Sequence, residues 1–185
     1  MFRKIFDFII DSIQAVVFAL SIFVLGYLFI AQPNKIKGTS MLPTFEDSEM
    51  LIVEKISYRL DTPERGDVVV FKAPESEACS EDQCEYIKRV IALPGDEIMV
   101  LDGKIYINSN VLSEDYLDIS VKTDPGSFLT EGESYEVPGG YYMLMGDNRP
   151  HSRDSREFGP ILKEDIVGKA FVRYWPPEKF GLVNN

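Results

Sequence analysis

Glu97-Ile98-Met99-Val100-Leu101-Asp102-Gly103-Lys104-Ile105-Tyr106-Ile107 is the stretch on which the reading of the fold turns. Two runs rich in β-branched and aromatic residues are separated by Asp-Gly alone, the pair that a two-residue hairpin turn favours. Working outward, short apolar runs of period two recur between turn residues, which predicts strands over 50–55, 67–72, 86–92, 97–101, 104–107, 141–145 and 166–174. Pro94-Gly95, Pro138-Gly139-Gly140 and Gly146-Asp147-Asn148 separate them. The stretch 108–137 is polar without sustained period and reads as a loop-rich excursion with room for short strands of its own. Residues after Trp175 read as a loose tail. The domain is therefore predicted to be mainly β, with no internal repeat.

Ahead of this domain, 13–31 form nineteen residues without a charge, interrupted by Gln14, Ser21 and Gly26. As a helix at ~1.5 Å per residue they span about 28 Å, close to the hydrocarbon thickness of a bilayer. A cleaved leader would need small residues before the cut, and a cut after Ala31 would set Phe29 at such a position with Pro33 just beyond. The segment is therefore expected to be a permanent anchor. Arg3 and Lys4 precede it and Lys35 and Lys37 follow, so charge bias by itself orients it only slightly.

Composition narrows the function classes. With 45% apolar and 26% charged residues the chain has the make-up of a globular protein rather than a disordered or collagen-like one. Acidic residues outnumber basic ones by 30 to 19, and no basic cluster interleaved with aromatics is present, which argues against a nucleic-acid partner. One His and two Cys cannot make a zinc site of the usual kind. Catalysis, if present, must come from other groups.

Four segments carry candidate chemistry. Gly38-Thr39-Ser40-Met41-Leu42-Pro43-Thr44 would hold a Ser hydroxyl in a rigid turn, with Pro43 pushing Leu42 toward extended backbone and Gly38 allowing close backbone approach. Taken alone, Ser40 reads as an ordinary turn residue. Arg65-Gly66-Asp67 leads into an apolar strand and reads as structure. In Tyr86-Ile87-Lys88-Arg89-Val90, alternation puts Lys88 on the face of Tyr86 and Val90; by itself it could be a snorkelling or edge-strand lysine. Gly146 to Arg156 packs hydroxyls, carboxylates and guanidiniums directly after an apolar strand, a density that suits a bound ion-pair network able to fix its neighbours.

Together and in this order the four segments resemble the boxes of the bacterial type I signal peptidases, from the anchor to about Gly168. The resemblance implies a signal-peptidase-like β-rich catalytic domain that releases exported preproteins from their signal peptides, with no metal or organic cofactor. It implies Ser40 as nucleophile and Lys88 as general base, with Ser152 orienting the Lys88 amine. Asp147 with Arg89, and Asp154 with Arg156, would be ion pairs of the site. The organisation that follows is a cytoplasmic N-terminus over 1–12, a single span over 13–31 and an extracytoplasmic protease domain over 32–185, anchored in the cell membrane. Its excursion, about 102–140, is reduced relative to larger members. Where some members carry a Ser whose hydroxyl helps bind the oxyanion, this chain has Gly38, so the Ser40 backbone N–H would bear more of that role.

The chemistry sets a requirement. A free lysine titrates near ~10.4, so at pH 7.5 only about one in a thousand is neutral. Desolvation by burial can lower it by roughly 3 to 5 units, while the acidic residues of 147–154 would pull it up, so an activity limb at roughly pH 8 to 9 is expected. His151 reads as a solvated loop residue. A membrane-tethered but inactive β domain that binds exported proteins is the alternative of another class, and an alanine at Ser40 or Lys88 would have favoured it. A self-cleaving Ser/Lys repressor would need a DNA-binding segment where this chain has its apolar one. Cys79 and Cys84, flanking the polar Ser80-Glu81-Asp82-Gln83, are expected to form a disulfide on the outer side of the membrane.

Overall fold

All seven predicted strands are present in the computed structural model, which describes residues 2–74, 76–77 and 85–183. Cys79 and Cys84, and with them the expected disulfide, lie outside the described residues. The chain begins with a helix, α1 (Phe2–Phe29), followed directly by β1 (Ala31–Lys35), β2 (Met50–Glu54) and the short α2 (Ser57–Leu60). Then come β3 (Val68–Lys72), β4 (Glu85–Ala92), β5 (Glu97–Leu101) and β6 (Lys104–Ile107). Next are β7 (Asn110–Val111), β8 (Tyr135–Glu136), β9 (Tyr141–Met145) and α3 (Ser155–Phe158). The last strands are β10 (Ile161–Leu162), β11 (Ile166–Trp175) and β12 (Gly181–Leu182).

The fold is mainly β. The larger sheet runs β1-β2-β11-β3-β4-β9-β10 with β12 added on β11, and the smaller runs β7-β6-β5-β8. Asp102 and Gly103 both take positive φ, 53° and 77°, the left-handed pair that lets β5 turn into β6 in two residues. Asn108 and Ser109, also at positive φ, repeat the device between β6 and β7. Alternation in the hairpin sends Ile98, Val100, Ile105 and Ile107 inward against Ile91, Met143 and Met145, a wholly apolar packing. Each such side chain contributes about 1.5–3 kcal/mol when withdrawn from water. In the larger sheet Val69 and Phe71 of β3 pack on Val90 and Leu144. A third cluster of Ile36, Met41, Phe45, Leu51 and Val68 lies under the Ser40 turn.

Three expectations are corrected. The N-terminal helix starts at Phe2 and ends at Phe29, so Ala31, expected to close the apolar helix, opens a strand instead: Ala31 to Lys35 pair antiparallel with Glu54 to Met50. The helical stretch Arg3–Tyr27, 25 residues, is long and apolar enough to cross a membrane. The tail is not loose, since β12 pairs with Val172 and Arg173 of β11, and Lys179 donates to Glu49. A two-residue strand has no periodicity to read, which is why β12, like β7, β8 and β10, left no signal in the sequence. Finally, Gly38 has no atom within 4 Å of where a Cβ would stand; its φ of +88° is what calls for glycine there.

Candidate active site

Strand β4 changes partners part-way along. Glu85 to Lys88 pair only with β3, Lys88 lying opposite Val69, whereas from Arg89 onward β9 joins the other edge, beginning with Arg89 opposite Met145. Lys88 is thus the last residue before the sheet closes, and the turn bearing Ser40 sits there. The Lys88 Nζ donates to Ser40 Oγ at 2.8 Å and to the Ile87 carbonyl at 2.9 Å. The ammonium also lies 5.5 Å from the centre of the Tyr86 ring, on the face the alternation predicted.

Lys88 is 4% exposed, and burial in this apolar, ring-lined position pushes its pKa down from 10.5 to about 8. The carboxylates of Asp154 and Asp147 oppose the shift and Arg156 assists it. The group is therefore poised to lose a proton at mildly alkaline pH.

The Ser40 turn is held from both sides. Phe45 N–H donates to the Met41 carbonyl, while Met41 and Phe45 are buried beneath. From the loop after β9, Asn148 N–H donates to the Ser40 carbonyl and its Nδ2 to the Thr39 carbonyl, each at 3.0 Å. Gly38 N–H is taken by Asp47 Oδ1 at 2.7 Å. Gly146 is where close approach occurs, for a Cβ there would collide with Ser152 Oγ and the Ser40 carbonyl.

Around this contact charges are buried in pairs. Arg89 spans to Asp147 with Nε to Oδ1 at 2.9 Å and Nη2 to Oδ2 at 2.7 Å, and Thr44 Oγ1 donates to the same carboxylate at 2.5 Å. Arg156 meets Asp154 through Nε at 2.8 Å and Nη2 at 2.7 Å. Asp154, whose pKa is lowered by these bonds against the effect of burial, also receives Gly146 N–H and caps α3 by accepting from Arg156 N–H. Bidentate pairing and additional donors are what make buried charge tolerable.

Two placements differ from the sequence reading. Ser152 lies against Gly146 with its Oγ buried on the side of the Asp154 carboxylate, and the hydrogen bonds of the Lys88 amine go to Ser40 Oγ and the Ile87 carbonyl rather than to Ser152. Arg149, not singled out by its sequence, is buried; it bonds Thr123 Oγ1, the Gly146 carbonyl, Tyr116 and the Glu114 carboxylate. The Arg89 guanidinium in turn lies over the Tyr116 ring, 3.9 Å from carbon to ring centre, so the excursion docks on the back of the site. His151 is exposed. Among the described residues, no group of three or more His, Cys, Asp or Glu is placed to hold a metal ion.

A cleft of about 420 Å³ opens beside Ser40 and Lys88, walled by β1 residues Pro33 to Lys35 on one side and Glu85 to Ile87 of β4 on the other. The model of the family described as signal peptidase, peptidase S26, matches residues 9–175. The chain belongs to the S26 signal peptidases. Relatives within this family include probable signal peptidase I-2 of Synechocystis, 38% identical over 94% of this chain and 74% of that one. Signal peptidase IB of Staphylococcus aureus is 36% identical over 97% of this chain and 94% of its own. Thylakoidal processing peptidase 1 of Arabidopsis thaliana is 37% identical over 96% of this chain, which spans 52% of that protein. A solved signal peptidase I from Enterococcus faecalis, 29% identical, covers 58% of this chain and 95% of that one at a TM-score of 0.44. Membership in the S26 signal peptidases supports a peptidase that acts on signal-peptide-bearing proteins.

Proposed function

We propose that this chain is a membrane-tethered type I signal peptidase that cleaves with Ser40 as nucleophile and Lys88 as general base. The observation that carries the reading is the 2.8 Å bond between Lys88 Nζ and Ser40 Oγ, made by a lysine whose burial brings its pKa to about 8. Neutral Lys88 takes the Ser40 proton as Oγ attacks the scissile carbonyl, then passes that proton to the departing amine. The acyl-enzyme is opened by water, with Lys88 again accepting the proton and Ser40 regaining it.

The Ser40 N–H donates to no protein acceptor among the described residues and is the candidate oxyanion donor. Gly38 supplies no hydroxyl there, and its φ of +88° disfavours replacement by serine. Asp147–Arg89 and Asp154–Arg156 hold the loop that positions the Ser40 carbonyl through Asn148.

Two strand edges line the cleft without partners among the described residues, that of β1 and that of β4 over Glu85 to Lys88. An extended peptide laid between them would gain backbone hydrogen bonds from both, the β-strand addition mode. Helix α1 would fix the domain on the membrane with its N-terminus on the cytoplasmic side. A signal peptide's own apolar segment lies in the same bilayer, so tethering raises the effective concentration of each for the other. The test is to incubate the detergent-solubilised protein and Ser40→Ala with a preprotein and sequence the new N-terminus. Cleavage at the signal-peptide junction by the wild type alone is expected; equal cleavage by both would sink the assignment.

A further inference from the structure

At its membrane-proximal end the cleft is crossed by a polar bridge. Gln32 and Asn34 of β1 donate from Nε2 and Nδ2 to the same oxygen, Glu85 Oε2, at 3.3 and 2.9 Å. Asn34 Oδ1 is buried with no hydrogen-bond partner, and no cation lies within salt-bridge distance of Glu85 among the described residues. The bridge thus presents acceptors in excess: the remaining carboxylate capacity of Glu85 and a free amide oxygen. A buried acceptor left unpaired is costly, and a donor that reaches it recovers that cost.

The position of the bridge along the cleft follows from the strands. Gln32 lies one residue and Asn34 three residues after Ala31, where the chain leaves the apolar helix, whereas Ser40 lies farther on. Through the antiparallel pairings β1 to β2, β2 to β11, β11 to β3 and β3 to β4, strand β4 runs parallel to β1. Glu85 precedes Lys88 by three residues, about 10 Å at roughly 3.3 Å per residue. A peptide arriving from the membrane therefore meets the bridge before Ser40, about four residues upstream of the bond that is cut.

We infer that Gln32, Asn34 and Glu85 form a substrate-selecting subsite that spans the cleft in the free enzyme and opens to a hydrogen-bond-donating side chain about four residues before the scissile bond. Its acceptor-rich chemistry favours Lys, Arg, Gln or Ser there and disfavours Asp and Glu, whose charge would face Glu85. The inference rests on the proposed function, since it takes the scissile bond to lie at Ser40 and the upstream part of the substrate to come from the membrane.

The experiment uses the full chain in detergent and a preprotein with Ala at positions three to six before the junction, each replaced singly by Lys, Gln, Glu or Leu. The wild type is expected to cut the Lys form over the Glu form by about fivefold in kcat/KM at position four or five, the scale of an exposed charge pair. Glu85→Gln should bring that ratio to within about twofold, and Glu85→Lys should reverse it. A ratio between two substrates is unmoved by a general loss of folded enzyme, so a merely structural role for Glu85 would leave it as in the wild type. A wild-type ratio near one at all four positions, or an unchanged ratio in Glu85→Gln, overturns the subsite. Failure to cut the all-Ala preprotein would instead overturn the protease reading on which the subsite depends.

Discussion

The four-stranded sheet and the eight-stranded sheet differ in what they bury. In the smaller, the inward positions of β5 and β6 are Ile98, Val100, Ile105 and Ile107, and dispersion and desolvation of apolar surface hold the layer together. In the larger, the same pleat carries Lys88 and Arg89 into the interior, and the loop after β9 adds Asp147, Arg149, Asp154 and Arg156. Three of these cations meet a carboxylate: Arg89 with Asp147, Arg149 with Glu114 and Arg156 with Asp154. Lys88 has none at salt-bridge distance among the described residues, and its bonds go to a hydroxyl and a carbonyl. The difference teaches that these buried arginines are each met by a carboxylate, while Lys88, to which the proposed mechanism gives the role of base, is left without one.

The largest effect should come from the proposed dyad. Ser40→Ala, Lys88→Ala and Lys88→Arg are each expected to lower kcat/KM by about a thousandfold or more while circular dichroism stays that of the wild type. Arginine fails as a base because a guanidinium titrating above ~12 remains charged. Near-normal rates in Lys88→Arg would refute the proposed base.

Next comes the charged layer. Asp147→Ala leaves Arg89 buried without its counter-charge and should destabilise the domain by about 3–5 kcal/mol, read as a lowered thermal midpoint with loss of activity. A midpoint within a degree or two of wild type would mean the pair contributes little. In the apolar sheet, Ile105→Ala should cost about 2–4 kcal/mol through lost burial and a cavity. The activity that remains should keep its wild-type pH profile, because no titrating group of the site touches that residue. A displaced profile would couple the two sheets more closely than their packing implies.

The finest test is the pH profile itself. Burial favours the neutral Lys88 amine, so kcat/KM should rise with pH through about 8 as the ammonium loses its proton. Asp154 favours the charged amine, so Asp154→Asn should move the ascending limb to lower pH. A limb complete below pH 7 in the wild type would point away from lysine, and a limb unmoved in Asp154→Asn would remove that carboxylate from the electrostatics of the base.

The sequence by itself determined the mainly β class, the Asp102-Gly103 turn, every strand of four residues or more beyond β1, and the four segments that supply the site. These are local signals: a period of two, a left-handed turn pair, or a box of neighbouring residues. Tertiary structure alone decided that Lys88 meets Ser40 across 48 residues and that Asn148 grips Thr39 across 109. It also decided that Arg149 is buried, that β12 ties the tail to β11, that Ser152 Oγ packs against Gly146, and that Glu85 bridges to Gln32 and Asn34. An arginine in a polar loop has the same local pattern whether solvated or buried. Which of the two it becomes depends on a counter-charge such as Glu114, 35 residues away, being brought within reach by the folding of the sheets.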